Sequence, residues 1–149
     1  SIALFLFFIA SFSDFLDGYL ARKTNSVSVL GEILDPIADK LLIVFVLIGL
    51  SINLDSFLIG FISAVIISRE IWVAALRDIN SRNNQSHKTR VTFLAKTKTA
   101  MQMLSILMYL FGLTINNMMV LFFADIILII TLLVTIQTGF QYTISTFKK

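Results

Sequence analysis

Cysteine is absent from this sequence of 149 residues, and histidine occurs once, at His87. Without cysteine the chain has neither a disulfide framework nor a thiolate metal site. His87 lies in a polar stretch, where we expect it to be solvated. Charged residues are also scarce, at 14% of the chain, whereas hydrophobic residues make up 57%. A soluble domain of this length needs more charge to cover its surface, so the composition predicts an integral membrane protein.

Five apolar runs are long enough to cross a bilayer as helices, which takes about 20 residues each. The runs cover residues 1–22, 31–54, 57–79, 98–115 and 118–147. Polar breaks at 53–56 and 114–117 fall on one side, and breaks at 25–28 and 80–97 fall on the other. The sequence contains no internal repeat. We therefore predict an all-α polytopic membrane helix bundle that forms a single domain over residues 1–149.

The basic residues are distributed unevenly between the two sides of the predicted bundle. All twelve lie at the second side or in the half of the membrane nearest to it, and the breaks at 53–56 and 114–117 contain none. By the positive-inside rule the basic side faces the cytoplasm, which predicts a multi-pass protein of the inner membrane. The net charge of +3 therefore reflects topology. It does not indicate nucleic-acid binding, because no basic groove with interleaved aromatic residues accompanies it.

Four aspartates occur near this cytoplasmic boundary, two at the end of the first predicted span and two at the start of the second. Asp14 and Asp17 are three residues apart and share a helix face. Asp35 and Asp39 follow Gly31 at steps of four, which aligns all three positions along one stripe of the next helix. Because the connector is short, the two helices should be antiparallel neighbours, and the carboxylates should converge.

Clustered carboxylates at a membrane boundary repel each other and are costly to desolvate, and bound cations relieve both effects. Oxygen ligands favour Mg²⁺ or Mn²⁺, and two such ions can stabilise an in-line displacement at phosphorus. Gly18 and Gly31 leave room for a phosphate or a nucleotide near the backbone, and the guanidinium of Arg22 can bind a phosphate oxygen. Helix capping explains a lone aspartate but not four with interleaved glycines. The pattern predicts a metal site for phosphoryl chemistry on a lipid.

A second group of ionisable residues lies in the third predicted span and after it. Arg69 is about 18 Å along its helix, inside the bilayer, and Arg77 shares a stripe with Glu70. Lys96 and Lys98 add positive charge on the same side. An ion pair that joins helices is the alternative role for Glu70. Since the cations outnumber this acid, the excess positive charge predicts an acceptor substrate that carries its own phosphate.

The aspartate segment resembles a known family. The pattern Asp14-x-x-Asp17-Gly18-x-x-Ala21-Arg22, eight residues, Gly31-x-x-x-Asp35-x-x-x-Asp39 is similar to the complete signature of the CDP-alcohol phosphotransferases. The resemblance implies an enzyme, usually a homodimer of six-helix subunits, in which a CDP-linked lipid binds through its diphosphate to two metal ions and an alcohol displaces CMP. The sixth helix would precede Ser1, so we expect the chain to be a fragment that lacks its first transmembrane helix.

The same resemblance implies roles for individual residues. The metal ligands would be Asp14, Asp17, Asp35 and Asp39, and Asp39 would also be the general base that takes the proton of the attacking hydroxyl. Contacts to the CDP-lipid would come from Asp14, Gly18, Ala21, Arg22 and Gly31.

The acceptor is indicated by residues 68–77 and 94–103, which resemble the bacterial phosphatidylglycerophosphate synthases within that family. This implies that CDP-diacylglycerol and glycerol 3-phosphate react to give phosphatidylglycerophosphate and CMP. The acceptor phosphate would be bound by Arg69, Arg77, Lys96 and Lys98. The alternatives are a relative that uses serine, inositol phosphate or phosphatidylglycerol, or a divalent-cation transporter. Transport sites usually lie near the midplane between repeated halves, unlike these acids at one face.

Asp125, in the last span, could meet a dimer partner or reach the membrane surface.

Overall fold

The structure, a computed structural model, describes residues 29–89 and 92–148 together with six residues near the N-terminus: Ile2, Leu4, Phe5, Phe7, Ile9 and Ser13. The side chains of residues 29–36, 38, 39, 86 and 96 lie outside this description. Four long helices follow one another: α1 (Val29–Asn53), α2 (Phe57–Arg82), α3 (Phe93–Ile115) and α4 (Met118–Phe147), with a 3₁₀ turn at Ser86–Thr89. The described residues contain no strand, which confirms the all-α prediction.

Capping side chains set the starts of the helices. The Ser56 hydroxyl accepts the N–H of Ile59 at the start of α2, and Thr92 accepts the N–H of Ala95 at the start of α3. The break between these two helices is therefore shorter than the predicted 80–97. A helix can continue beyond the apolar part of a span with turns that carry polar side chains. Hydropathy alone does not detect these additional turns.

Consecutive helices run in opposite directions, and turns at 54–56 and 116–117 connect them at one end of the bundle. α4 packs against α2 and α3, and α1 packs mainly against α2. Three side-chain hydrogen bonds follow one another along the parallel pair α2 and α4: Arg69–Thr138, Trp72–Thr143 and Asn80–Thr146. The first turns of α1 and α3 and the last turns of α2 and α4 thus share one end, which we call the polar end.

A continuous apolar core joins all four helices. It contains buried residues from each of them: Ile43, Leu47, Ile59, Ile62, Ile66, Ile106, Tyr109, Ala124 and Leu128. Phe7 belongs to the same core, so part of the first predicted span also packs on the bundle.

α2, α3 and α4 are each long and apolar enough to cross a membrane, and among the described side chains α1 contributes the shorter apolar segment Lys40–Asn53. Large side chains on the outer surface, such as Phe57, Phe93 and Phe122, are well exposed. So much exposed apolar area is typical of a surface that contacts lipid. These observations support a membrane protein. The total of five spans in this chain, and the single domain, stay predictions.

Candidate active site

Much of the predicted metal centre lies outside the described residues. Those positions are Asp14, Asp17, Gly18, Ala21 and Arg22. Gly31, Asp35 and Asp39 belong to the described backbone of α1, but their side chains are not described. Among the side chains that the structure does describe, no three acids or histidines come together as a possible metal site. The ligand set and the convergence of the four carboxylates therefore stay predictions.

The backbone of α1 nevertheless fixes the register of its acidic positions. Asp35 and Asp39 are one turn apart in continuous helix. The same step of four leads from Asp39 to Ile43 and Leu47, which are both buried in the core. Positions 35 and 39 are therefore in line with the face of α1 that packs into the bundle, at its polar end.

A cavity of about 470 Å³ lies between α1, α2 and α3 close to this position. Its apolar wall includes Ile43 and Ile66, and its polar wall includes Lys40, Glu70 and Arg77. Lys40 directly follows Asp39 in α1. The cavity thus combines an apolar lining with opposite charges, as an amphiphilic ligand requires.

Glu70 is the acid at the centre of a cluster of cations. Its Oε1 atom accepts hydrogen bonds from Arg69 Nη1, at 3.0 Å, and from the Lys98 ammonium. The side chains of Arg69 and Lys98 are only 9% and 4% exposed, so both cations are held away from solvent. The Arg69 Nη2 group also donates to Thr138 Oγ1 at 2.8 Å. The alternative role predicted for Glu70, an ion pair between helices, is therefore present in the structure.

Arg77 differs from these paired cations. Its guanidinium carbon lies 5.6 Å from the centroid of the Tyr142 ring, and its side chain lines the cavity. No described carboxylate forms a salt bridge with Arg77, and among the described residues its buried Nε atom has no hydrogen-bond partner. The cavity wall therefore retains positive charge that no described carboxylate pairs with.

Lys98 is deeper in the bundle than the sequence indicated. Because α3 begins at Phe93, Lys98 lies in its second turn and not at its first residue. The side chain of Lys96 lies outside the described residues. Of the four predicted acceptor cations, the structure thus brings Arg69, Arg77 and Lys98 into one region, and of these only Arg77 lines the cavity.

Sequence reasoning missed a buried polar stripe on α4. Thr131, Thr135, Thr138 and Tyr142 are each at most 3% exposed in a helix that is otherwise strongly apolar. Their spacing of four, three and four residues places them on one face, and this periodicity was visible in the sequence. Thr138 contacts Arg69 of α2, and Tyr142 contacts both Arg69 and Arg77.

Comparison with known proteins identifies the family. A sequence model of the CDP-alcohol phosphatidyltransferases matches residues 1–137, which is most of the chain. The chain belongs to this family. The matched range contains every residue of the predicted signature, from Asp14 to Asp39, and confirms the resemblance on which that prediction rested.

Curated relatives in the CDP-alcohol phosphatidyltransferase family support a narrower assignment. The chain is 41% identical over 138 residues to a CDP-diacylglycerol–glycerol-3-phosphate 3-phosphatidyltransferase of Rickettsia bellii, covering 92% of this chain and 74% of the relative. It is 38% identical over 143 residues to the protein of that name from Haemophilus influenzae, covering 95% and 75%. A third such protein, from Rickettsia felis, is 39% identical over 140 residues, covering 92% and 74%.

Asp125 lies within the family match but is not part of the signature. The Tyr109 hydroxyl donates a hydrogen bond to its Oδ1 atom, so α3 supplies a partner for this acid. The predicted contact with a dimer partner or the membrane surface is therefore not needed to explain it. His87 is exposed, as expected for a solvated residue.

Proposed function

We propose that the chain transfers the phosphatidyl group of CDP-diacylglycerol to glycerol 3-phosphate, giving phosphatidylglycerophosphate and CMP in phospholipid synthesis. The observation that supports it best is the cavity beside position 39, with Arg77 and Lys40 in its wall. A cationic wall next to a phosphoryl-transfer site suits an acceptor that bears a phosphate. The names of the curated relatives specify the same reaction.

A divalent metal site fits the donor chemistry of the family signature. Four carboxylates are ligands that Mg²⁺ or Mn²⁺ accepts, and α1 places two of their positions one turn apart. Asp14, Asp17, Asp35 and Asp39 would hold two ions, and bound ions would neutralise charge on the diphosphate of the CDP-lipid. The signature residues Gly18, Ala21, Arg22 and Gly31 would surround that diphosphate together with Asp14.

Asp39 is assigned to the proton transfer. The hydroxyl oxygen of the acceptor attacks the phosphorus that carries the diacylglycerol, and its proton goes to the carboxylate of Asp39. The bond from that phosphorus to the CMP oxygen breaks, and CMP leaves with the electron pair. The place of Asp39, one residue before cavity-lining Lys40, is compatible with this role.

The acceptor phosphate is assigned chiefly to Arg77, and Lys40 of α1 also belongs to the cavity wall. Arg69 and Lys98 contribute positive charge from behind this wall, since both already bind Glu70. Lys96 lies in the first turn of the same helix as Lys98 and adds to the positive charge of the polar end. This arrangement gives the phosphate a site separate from the diphosphate site near Arg22.

The polar end would face the cytoplasm at the inner membrane, where the soluble acceptor is available. The described cations Arg82, Lys88 and Lys148 lie at this end, whereas the turns 54–56 and 116–117 contain no basic residue. The family resemblance further suggests a homodimer.

An acceptor panel tests the function. The full-length protein is incubated with CDP-diacylglycerol and, separately, glycerol 3-phosphate, glycerol, serine and inositol phosphate, and CMP release is measured. Glycerol 3-phosphate should be used best. Arg77→Ala should raise its KM about 10- to 150-fold, the equivalent of losing a charge-assisted hydrogen bond, with little change in the KM for CDP-diacylglycerol.

Arg82→Ala is the matched control, because the Arg82 side chain is exposed and pairs with Asp78 on the surface of α2. It should leave both KM values unchanged. Equal use of glycerol or serine by the native enzyme would contradict a phosphate-bearing acceptor. Failure to release CMP with any alcohol would contradict the transferase assignment itself.

A further inference from the structure

Three residues of α4 surround the side chain of Arg69. Thr138, Gly139 and Tyr142 are all buried, and we call them the arginine seat. Thr138 Oγ1 accepts a hydrogen bond from Arg69 Nη2 at 2.8 Å. The same hydroxyl donates to the carbonyl of Val134, so its lone pair is turned toward the guanidinium. The seat therefore makes a directed polar contact with one acceptor-site cation.

Gly139 provides the space in which the aliphatic part of Arg69 lies. A Cβ atom at this position would be 3.0 Å from Cγ of Arg69 and 3.5 Å from its Nε. A contact of 3.0 Å is tighter than most contacts of a Cβ atom, so even alanine at position 139 would require the Arg69 side chain to shift by a few tenths of an ångström. The absence of a side chain at position 139 thus leaves the space that the aliphatic part of Arg69 occupies.

Tyr142 connects both arginines with the start of α3. The guanidinium carbons of Arg69 and Arg77 lie 5.7 and 5.6 Å from the centroid of its ring, within the range of cation–π attraction. At the other end of the ring, its hydroxyl accepts the backbone N–H of Thr92 at 3.2 Å. Contacts with α2 and with the start of α3 therefore hold the ring, and the ring attracts the guanidinium groups of both arginines.

None of the described residues that line the cavity lies on α4. The arginine seat nevertheless acts on that wall. It holds Arg69, Arg69 binds Glu70, and Glu70 and Arg77 both line the cavity. The family match covers residues 1–137, so it ends immediately before the three seat positions.

We propose that Thr138, Gly139 and Tyr142 are positioning residues that set the preference for a phosphate-bearing acceptor by holding the guanidinium groups of Arg69 and Arg77 in place. This inference rests on the proposed function. A seat that merely packed helices together would affect folding and both substrates alike. A positioning seat affects the acceptor anion selectively, and this difference can be measured.

The test uses substitutions with matched controls elsewhere in the bundle. Gly139→Ala is compared with Gly49→Ala, because a Cβ at position 49 meets no atom within 4 Å. Thr138→Val is compared with Thr131→Val, because Thr131 is equally buried but, among the described residues, its hydroxyl bonds only to the carbonyl of Ile127 in its own helix. Tyr142→Leu is compared with Tyr142→Phe, which keeps the ring, and Thr138→Ser keeps the hydroxyl.

For each variant of the full-length protein, KM and kcat are measured for glycerol 3-phosphate and for CDP-diacylglycerol. Gly139→Ala, Thr138→Val and Tyr142→Leu should each raise the KM for glycerol 3-phosphate roughly three- to tenfold, as expected for one weakened contact to a cation. The KM for CDP-diacylglycerol should change by less than about twofold, the scale of a contact worth under 0.5 kcal/mol. The two controls and Thr138→Ser should remain close to the native enzyme. Tyr142→Phe keeps the ring but loses the hydroxyl contact to Thr92, so it should have a smaller effect than Tyr142→Leu.

Calorimetric binding of glycerol 3-phosphate and of inorganic phosphate, without CDP-diacylglycerol, gives a readout that does not depend on turnover. Weaker binding of both anions by the three seat variants than by their matched controls supports the seat. Native-like phosphate binding by all three would overturn it, as would equal losses for both substrates or an equal effect of Tyr142→Phe and Tyr142→Leu. Failure of the proposed function looks different: the native enzyme would release no CMP with glycerol 3-phosphate, while phosphate binding would still report on the seat.

Discussion

Glu70 and its neighbours show how charge is arranged at the level of single residues. One described carboxylate accepts hydrogen bonds from Arg69 and Lys98, while Arg77 and Lys40 share the cavity wall with it. Four cations near this one described carboxylate leave an excess of positive charge that a bound anion can compensate. Because charges interact more strongly in a low-dielectric site, this excess of positive charge favours binding of a negatively charged ligand in the cavity.

The first prediction concerns the four aspartates of the signature and their effect on CMP release. Asp14→Asn, Asp17→Asn, Asp35→Asn and Asp39→Asn should each remove nearly all CMP release, because each removes a charged metal ligand. An excess of EDTA should have the same effect, reversed by adding Mg²⁺ or Mn²⁺. Asp39→Asn should still bind CDP-diacylglycerol in an equilibrium binding assay. The other three aspartates would chiefly hold the metal ions and the diphosphate, whereas Asp39 would chiefly act as the base.

The control for these substitutions is Asp78→Asn, which removes an exposed carboxylate paired with Arg82 on the surface of α2. It should keep native activity. Full turnover in excess chelator would refute the metal centre. Loss of CDP-lipid binding in Asp39→Asn would refute its separate role as base.

At the scale of helices, the apolar runs of the sequence predicted α2, α3 and α4 well, because their length and hydropathy reflect the thickness of a bilayer. The end of α2 at Arg82 and the start of α3 after Thr92 were less predictable, because capping and packing determine them and hydropathy does not. The acidic positions of α1 were visible from their spacing. The contacts of Tyr142 were not, because they depend on which face of α4 meets α2 in three dimensions.

Helix orientation gives the second prediction of this section. The chain has no cysteine, so one introduced thiol reports on one position. His87→Cys, in the exposed connection between α2 and α3, should react with an impermeant maleimide only from the cytoplasmic side. Asn53→Cys, exposed at the opposite end of α1, should react only from the outer side. Labelling in right-side-out and inverted vesicles measures both, and the reverse pattern would overturn the orientation.

At the scale of the whole molecule, a small polar cluster ties three helices together. Glu70 joins α2 to α3 through Lys98, Arg69 joins α2 to α4 through Thr138, and Tyr142 joins α4 to the start of α3. The connection before α3 is also fixed to α4, since the Lys88 ammonium donates to the carbonyl of Lys148 at 3.1 Å. The predicted homodimer is a separate level of assembly and stays a prediction.

The stability of the bundle should depend on the Glu70–Lys98 pair. Breaking one partner of a buried ion pair costs about 3–5 kcal/mol, and the partly exposed Glu70 places this pair at the lower end. In a double-mutant cycle followed by thermal unfolding in detergent, Glu70→Gln and Lys98→Met should each lower the midpoint. The double variant should lose less than the sum of the two. The exposed pair Asp78–Arg82 should show a coupling of only about 0–1 kcal/mol. Additive losses at Glu70 and Lys98 would contradict the tie.

The seat on α4 also has a consequence for how the protein is made. Synthesis proceeds from the N-terminus, so α2 leaves the ribosome well before Thr138 and Tyr142 are translated. Until α4 enters the membrane, the Arg69 guanidinium has Glu70 on its own helix but lacks its hydroxyl and aromatic partners, and an incompletely paired cation in a bilayer is costly. Membrane insertion of α4 then supplies the partners that keep Arg69 at its depth. The proposed acceptor pocket would therefore be completed late in biogenesis, by the helix that follows all of the other described helices.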